Sequence, residues 1–162
     1  MEPAQLLPRA GTDAGVTYTV REPSELDPST LSGLAGVYLT DRRLARAEFV
    51  VTAGYPGLPP VGIILAERPW GEVGQQWQQH VPNALEIGGL FVQAPWRKTR
   101  VPLGLIGTAA RHAAASGRVP VGVTEVGSST ASLLATRGAL PRRRFRAGGV
   151  DYRPWILTGM AA

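Results

Sequence analysis

The sequence predicts an α/β fold, a mixed sheet with helices on its faces. Three observations carry that expectation. Strand-like runs alternate with stretches whose apolar residues recur at helical spacing. Capping and turn residues fall in the gaps between them. A length of 162 residues, 44% apolar and 18% charged, suffices for one ordinary domain with a real core and is short for two.

The first residues, with Pro3, Pro8, Gly11 and Gly15 among few large apolar side chains, read as a disordered lead-in over 1–15, ahead of a single domain over 16–162. Val16 to Val20 alternates as a strand does. Asp27-Pro28 supplies an N-cap with proline at N1, and Leu31, Leu34, Ala35 and Tyr38 lie on one face of a helix over about 28 to 39. Thr40-Asp41 caps a shorter helical piece running to Ala47. Phe49 to Thr52 and Val61 to Ala66 are β-rich, and the Gly/Pro-dense stretch between them links a hairpin. The glutamine-rich segment Trp70 to Asn83 is weakly periodic and reads as a surface loop or short helix. A strand over 85–92 precedes a helix from Pro102 to Ser116, which Gly117 ends as a C′ residue. Val119 to Val126 is a further strand. Ser128-Ser129-Thr130 caps a helix ended by Gly138, and two β-like segments, about 142 to 147 and 150 to 157, meet at the hairpin dipeptide Gly148-Gly149.

Composition excludes several chemistries. The chain has no cysteine, so thiol catalysis, disulfides and thiolate metal ligands are out, and His80 and His112 lie far apart without metal-ligand spacing. No metal site is expected. The N-terminus lacks the basic start and apolar run of a signal peptide, and no apolar stretch reaches spanning length, so a cytoplasmic protein without membrane contact is expected. Net charge is +5, and Lys98 is the one lysine among the basic residues. Arginine suits bidentate phosphate or carboxylate contacts, although an arginine-, alanine- and glycine-rich chain also fits a compositional bias of the genome.

The densest signal is Leu85-Glu86-Ile87-Gly88-Gly89-Leu90-Phe91-Val92, followed by a turn carrying Arg97, Lys98 and Arg100 and then a helix start. A helix N-terminus has unpaired N–H groups and the positive end of the dipole, so a basic turn there forms an anion site. A phosphorylated ligand follows.

These residues, with the element order and the segment Ala131 to Ala139, resemble the GCN5-related N-acetyltransferase (GNAT) superfamily over nearly all of the chain after Val16. The resemblance implies a mostly antiparallel sheet whose fourth and fifth strands splay apart to admit acetyl-CoA or another acyl-CoA as co-substrate. The pantetheine arm would bond the open edge at Leu90, Phe91 and Val92. The pyrophosphate would sit on Arg97, Lys98, Thr99, Arg100, Val101, Leu103 and Gly104, with Ser129 at the next helix start as a further contact. The turn departs from the family's pattern, because its glycines are absent from their usual places and Pro102 lacks an N–H donor. The ending Gly149 to Trp155 also resembles the N-acyl amino acid synthase and autoinducer synthase branch, which implies an acyl carrier protein as alternative donor and partner.

Within that resemblance Glu86 corresponds to the strand glutamate that acts as base, and its apolar neighbours Leu85 and Ile87 would raise its pKa. A structural ion pair with an arginine is its other role. Gly88-Gly89 permits a bulge that frees N–H groups of Leu90 to Val92 for the thioester carbonyl, or else close packing. Leu134 stands where the family has its acid tyrosine, which leaves Tyr152 as a substitute proton donor or a structural ring. Arg142, Arg144 and Arg146 would share one strand face, as a solvated stripe or as a site for an acidic partner. The acceptor is expected to be a small-molecule or protein amine, nucleic acid is not expected, and a homodimer stays open. A domain of this fold that binds an acyl-thioester or a partner without turnover is the rival from a different class.

Overall fold

The computed structural model describes residues 12–26 and 41–160. Residues 1–11 of the expected lead-in and the helix expected over 28 to 39 lie outside the described residues. Residues 12–15 form a turn whose Asp13 accepts a 2.6 Å hydrogen bond from the Tyr18 hydroxyl.

The described elements are β1 (Thr17–Arg21), α1 (Asp41–Arg46), β2 (Ala47–Gly54), β3 (Gly62–Glu67), α2 (Gly71–Gln78), β4 (Ala84–Val92), α3 (Val101–Ala115), β5 (Val119–Glu125), α4 (Ser129–Ala135), β6 (Leu140–Pro141), β7 (Phe145–Ala147) and β8 (Val150–Ile156). Their sheet runs β1-β2-β3-β4-β5-β8-β6, with β7 also on β8. Every pairing is antiparallel except β4 with β5. This is the mixed, mostly antiparallel sheet with helices on both faces that the sequence predicts.

Period-2 alternation assigns the faces. Val51, Ala53, Ile64, Ala66, Leu85 and Ile87 point to the side where α3 lays down Val101, Leu105, Ile106, Ala109, Ala110 and Ala113, and α4 adds Leu134. The small residues along α3 bring its axis close to the sheet, and Leu105 and Ala109 are fully buried. The other face carries Val50, Ile63 and Leu65 under Leu44 of α1, and Ala84 and Val121 under Trp77 of α2. Trp77 fixes α2 as a helix despite its weak period, since burying one indole outweighs eight residues of indifferent propensity.

Two end features match the capping logic. Ser128 accepts from the Ala131 N–H at 3.1 Å and starts α4, and Gly117 and Gly138 take positive φ past the ends of α3 and α4. Gly148 and Gly149 both have positive φ, which joins β7 to β8 by a two-residue turn.

The strand expected over 142–147 is interrupted. Pro141 pairs with Trp155 and Phe145 with Tyr152, so Arg142, Arg143 and Arg144 oppose only Arg153 and Pro154. Pro154 has no N–H to donate to the ladder, and the surplus residue bows out. The strand-face stripe expected of Arg142, Arg144 and Arg146 is therefore broken at Arg142, while Arg144 and Arg146 line one exposed groove with Asp151 and Arg153.

Candidate active site at the fork of β4 and β5

Strands β4 and β5 pair only over Ala84–Val119, Leu85–Pro120 and Glu86–Val121. Beyond Glu86 they separate, and from Ile87 onward β4 has no ladder partner on its β5 side. Arg118 braces the closed end: its guanidinium donates to the Ala84 and Asn83 carbonyls at 3.3 and 3.2 Å and to both oxygens of Glu48 at 2.8 and 2.6 Å. The fork thus has a fixed hinge and an open mouth.

The gap holds a cleft of about 290 Å³ on the α3 face, walled by Ile87, Gly88, Gly89 and Leu90 of β4, Gly122 to Glu125 of β5, Ile106 of α3 and Leu134 of α4. A second cavity of about 280 Å³ shares Leu90 and Thr130 with it and extends to Val92, Arg97, Thr99, Pro102, Ser129 and Leu133. The shared lining sets the two side by side as a channel between the turn at Arg97 and the fork.

The diglycine does shape the strand. Ile63 pairs with Phe91 and Leu65 with Gly88, so Gly89 and Leu90 face Ile64 alone as a bulge, with Gly89 at φ 65°. Only glycine sits comfortably there, because an added Cβ would come within 3.2 Å of both the Arg43 guanidinium carbon and Leu65.

Glu86 is the last paired residue before the fork, and its side chain points to the α1 face, away from the main cleft. It is partly buried, and its carboxyl is pushed up from 4.5 to about 7, first by desolvation and then by the charge of Glu67, with Arg43 opposing. Glu67 lies directly across the β3–β4 ladder. It is 1% exposed, and its Oε1 accepts from Arg43 Nε and Nη2 at 3.3 and 3.1 Å. Its Oε2 is buried without a hydrogen-bond partner. Arg43 and Glu67 escaped the sequence reading; a carboxylate ending the apolar run Gly62–Glu67 was the one available signal.

The structure divides the other expected site residues. Leu90, Val92, Arg97, Thr99 and Ser129 line the channel. Arg97 is tethered by Nε to the Val92 carbonyl at 2.8 Å, with its guanidinium 5.9 Å from the Phe91 ring. Lys98 is exposed at the turn. Phe91 packs on the α1 face beside Ile63 and Leu65, so its ring leaves the channel. Val101 is fully buried, its N–H taken by Thr99 Oγ1 at 3.1 Å. With Pro102 lacking an N–H, two of the three first-turn donors of α3 are unavailable to an anion.

Arg100, Leu103 and Gly104 face a different cavity, of about 200 Å³, together with Tyr18, Arg111 and Arg137. The Tyr18 ring occupies the space beside Gly104 where a side chain would go, so that glycine serves packing rather than ligand approach. Burial, and then the hydrogen bond to Asp13, pushes the Tyr18 hydroxyl up.

Leu134, 3% exposed, forms part of the cleft wall. Tyr152 is not among the residues around the cleft; its ring stacks on Phe145 at 5.5 Å, because Phe145 is its ladder partner across the β7–β8 hairpin. The expected substitute acid therefore stands outside the cleft lining, across the ladder from Glu125 of the cleft wall. His80 is exposed, and His112 sets its ring edge-on to Phe49 at 4.6 Å. Among the described residues no group of three or more His, Cys, Asp or Glu could hold a metal, and no helix is long and apolar enough to cross a membrane.

Fork, bulge and helix start together define the GNAT fold, and solved structures of that superfamily superpose on this chain. The IAA acetyltransferase of Bacillus cereus matches with a TM-score of 0.59 at 15% identity, over 86% of this chain and 97% of that one. The yncA protein of Salmonella typhimurium, solved with its cofactor acetyl-CoA, matches with a TM-score of 0.62 at 15% identity, over 91% and 97%. Arabidopsis thaliana NAA60, in complex with a bisubstrate analogue, gives 0.60 at 16% identity, over 86% and 97%. At such identities the fold is what is shared. No family model matches the sequence, and no curated protein does.

Proposed function

We propose that this protein is an N-acyltransferase, a single domain from Val16 onward working in the cytoplasm, that moves an acyl group, acetyl in the first instance, from acyl-CoA to an amine. The observation that carries the reading is the position of Glu86 at the fork. The channel lies on the α3 face of the fork and the Glu86 side chain on the α1 face, so in this reading donor and acceptor approach from opposite sides of the sheet.

In this reading the thioester lies against the bulge, where unpaired N–H groups of the Gly89 to Val92 stretch polarise its carbonyl. The amine nitrogen attacks that carbon, its proton passes to Glu86, the C–S bond breaks and the thiolate takes a proton from solvent. A carboxyl near 7 is matched to deprotonating an amine at neutral pH. Arg97 supplies the fixed charge for the pyrophosphate.

Glu86→Gln tests the assignment, because it keeps size and hydrogen bonding but accepts no proton. With acetyl-CoA and a panel of small-molecule amines, free-thiol release is expected to fall by roughly 10² to 10⁴ while donor affinity persists. Turnover equal to wild type in that variant would exclude Glu86 as base. No thiol release by the wild type from any acyl donor, despite tight donor binding, is the outcome for a non-catalytic binding domain.

The depleted helix start favours a second donor. With Val101 and Pro102 withdrawn, a carrier-protein-bound acyl-phosphopantetheine, which has one phosphate to hold, fits the turn as well as coenzyme A does. The exposed groove of about 510 Å³ formed by Arg143, Arg144, Arg146 and Arg153 offers an acidic carrier a basic surface. Comparing kcat/KM for acyl-CoA and acyl-carrier protein decides between them.

A further inference from the structure

Glu67 combines features that the acyl-transfer reading does not use. It is buried to 1% exposure, its Oε1 takes both bonds from Arg43, and its Oε2 is solvent-inaccessible with no donor. A buried acceptor left unpaired costs about 1–3 kcal/mol, so a structure that keeps one supplies a donor under working conditions. The groups that face this oxygen's surroundings narrow the choice. Among the described residues, Arg43 of α1 is already on Oε1 and the residue directly across the ladder, from β4, is Glu86; the indole N–H of Trp77 on α2, on the same face of the sheet, is also buried without a partner and is not bonded to this oxygen. Cross-strand partners on one face hold their Cβ atoms about 4.5–5.5 Å apart, within reach for two carboxyl groups.

We propose that Glu67 and Glu86 form a carboxyl–carboxylate pair in which protonated Glu86 donates a hydrogen bond to Glu67 Oε2, while Arg43 holds Glu67 as the anionic member. Glu67 is then a positioning residue that sets where Glu86 holds its proton. The consequence for chemistry is directional. When Glu86 loses its proton the pair becomes two facing carboxylates with one hydrogen bond lost, and taking a proton from the acceptor amine restores that bond. The pair thus drives Glu86 toward proton uptake, and the repulsion from Glu67 together with desolvation agrees with the raised Glu86 carboxyl.

This inference rests on the acyl-transfer reading only for its catalytic consequence; the pairing itself is read without turnover. Carbon-13 NMR of glutamate-labelled protein, with the Glu86 carboxyl assigned through Glu86→Gln, follows its titration directly. In Glu67→Gln the Glu86 midpoint is expected to fall by at least one pH unit, and the acidic limb of kcat/KM to move with it. Should loss of the Arg43 partner prevent that variant from folding, Arg43→Gln gives the opposite sign, an upward shift, since it removes the cation that opposes protonation. A Glu86 midpoint that stays in place in the folded variants overturns the pairing. A midpoint that moves while the pH profile of turnover stays fixed leaves the pairing intact and removes Glu86 as base.

Discussion

Glu86 carries a consequence for stability that is separate from catalysis. Its folded carboxyl lies near 7 against an ordinary 4.5, so the folded state binds this proton more tightly than the unfolded chain. The contribution is fully present below about pH 4.5 and is lost as pH rises through 7, the reverse of a salt-bridged carboxylate. Glu86→Gln has no charge to bury, so it is expected to flatten the decline in stability between those values and to gain at most about 3 kcal/mol on wild type at pH 8. Urea midpoints for both proteins across pH 4 to 8 check this. A variant less stable than wild type at pH 8 would mark Glu86 as an ion-paired structural residue, the role that competes with catalysis in the sequence.

At the level of elements, the bulge in β4 connects backbone conformation to chemistry. Gly89→Ala places a Cβ in the left-handed region and against Arg43 and Leu65. The expected cost is about 1–3 kcal/mol from backbone strain and crowding. Turnover is expected to fall further than that, because straightening the strand redirects the N–H groups that the proposed reaction uses to polarise the thioester; denaturation and thiol-release assays on the same preparation separate the two effects. The diglycine was legible as a bulge because glycine inside a strand pattern has few other uses. Helix α3 and the β2–β3 hairpin were legible for similar reasons, with periodicity and punctuation agreeing. The arginine run between β6 and β7 was not, because its outcome depends on Pro154 in another strand, and register is a non-local property. Arg43 and Glu67 were hidden for the same reason: they are 24 residues apart and meet only once α1 packs over β3.

At the scale of the whole molecule, the start of α3 separates charges that the sequence presents as one cluster. Arg97 turns into the channel and is tied to the end of β4, whereas Arg100, three residues on, faces the cavity shared with Tyr18, Arg111 and Arg137. Treating the turn as a single basic patch predicts equal effects from both residues. The fold predicts unequal ones. Arg97→Ala removes a tethered guanidinium from the channel proposed for the donor and is expected to weaken acetyl-CoA binding by roughly 1 to 3 kcal/mol. Arg100→Ala alters an exposed charge outside that path, with an expected effect within about 0.5 kcal/mol. Calorimetry at two salt concentrations distinguishes the roles further, since Arg97→Ala is expected to reduce the salt dependence of donor binding and Arg100→Ala to leave it nearly as steep. Equal losses for the two variants would mean that the donor spans both cavities over the α3 N-terminus, and the channel from Arg97 to the fork would then be too narrow an account of where the donor binds.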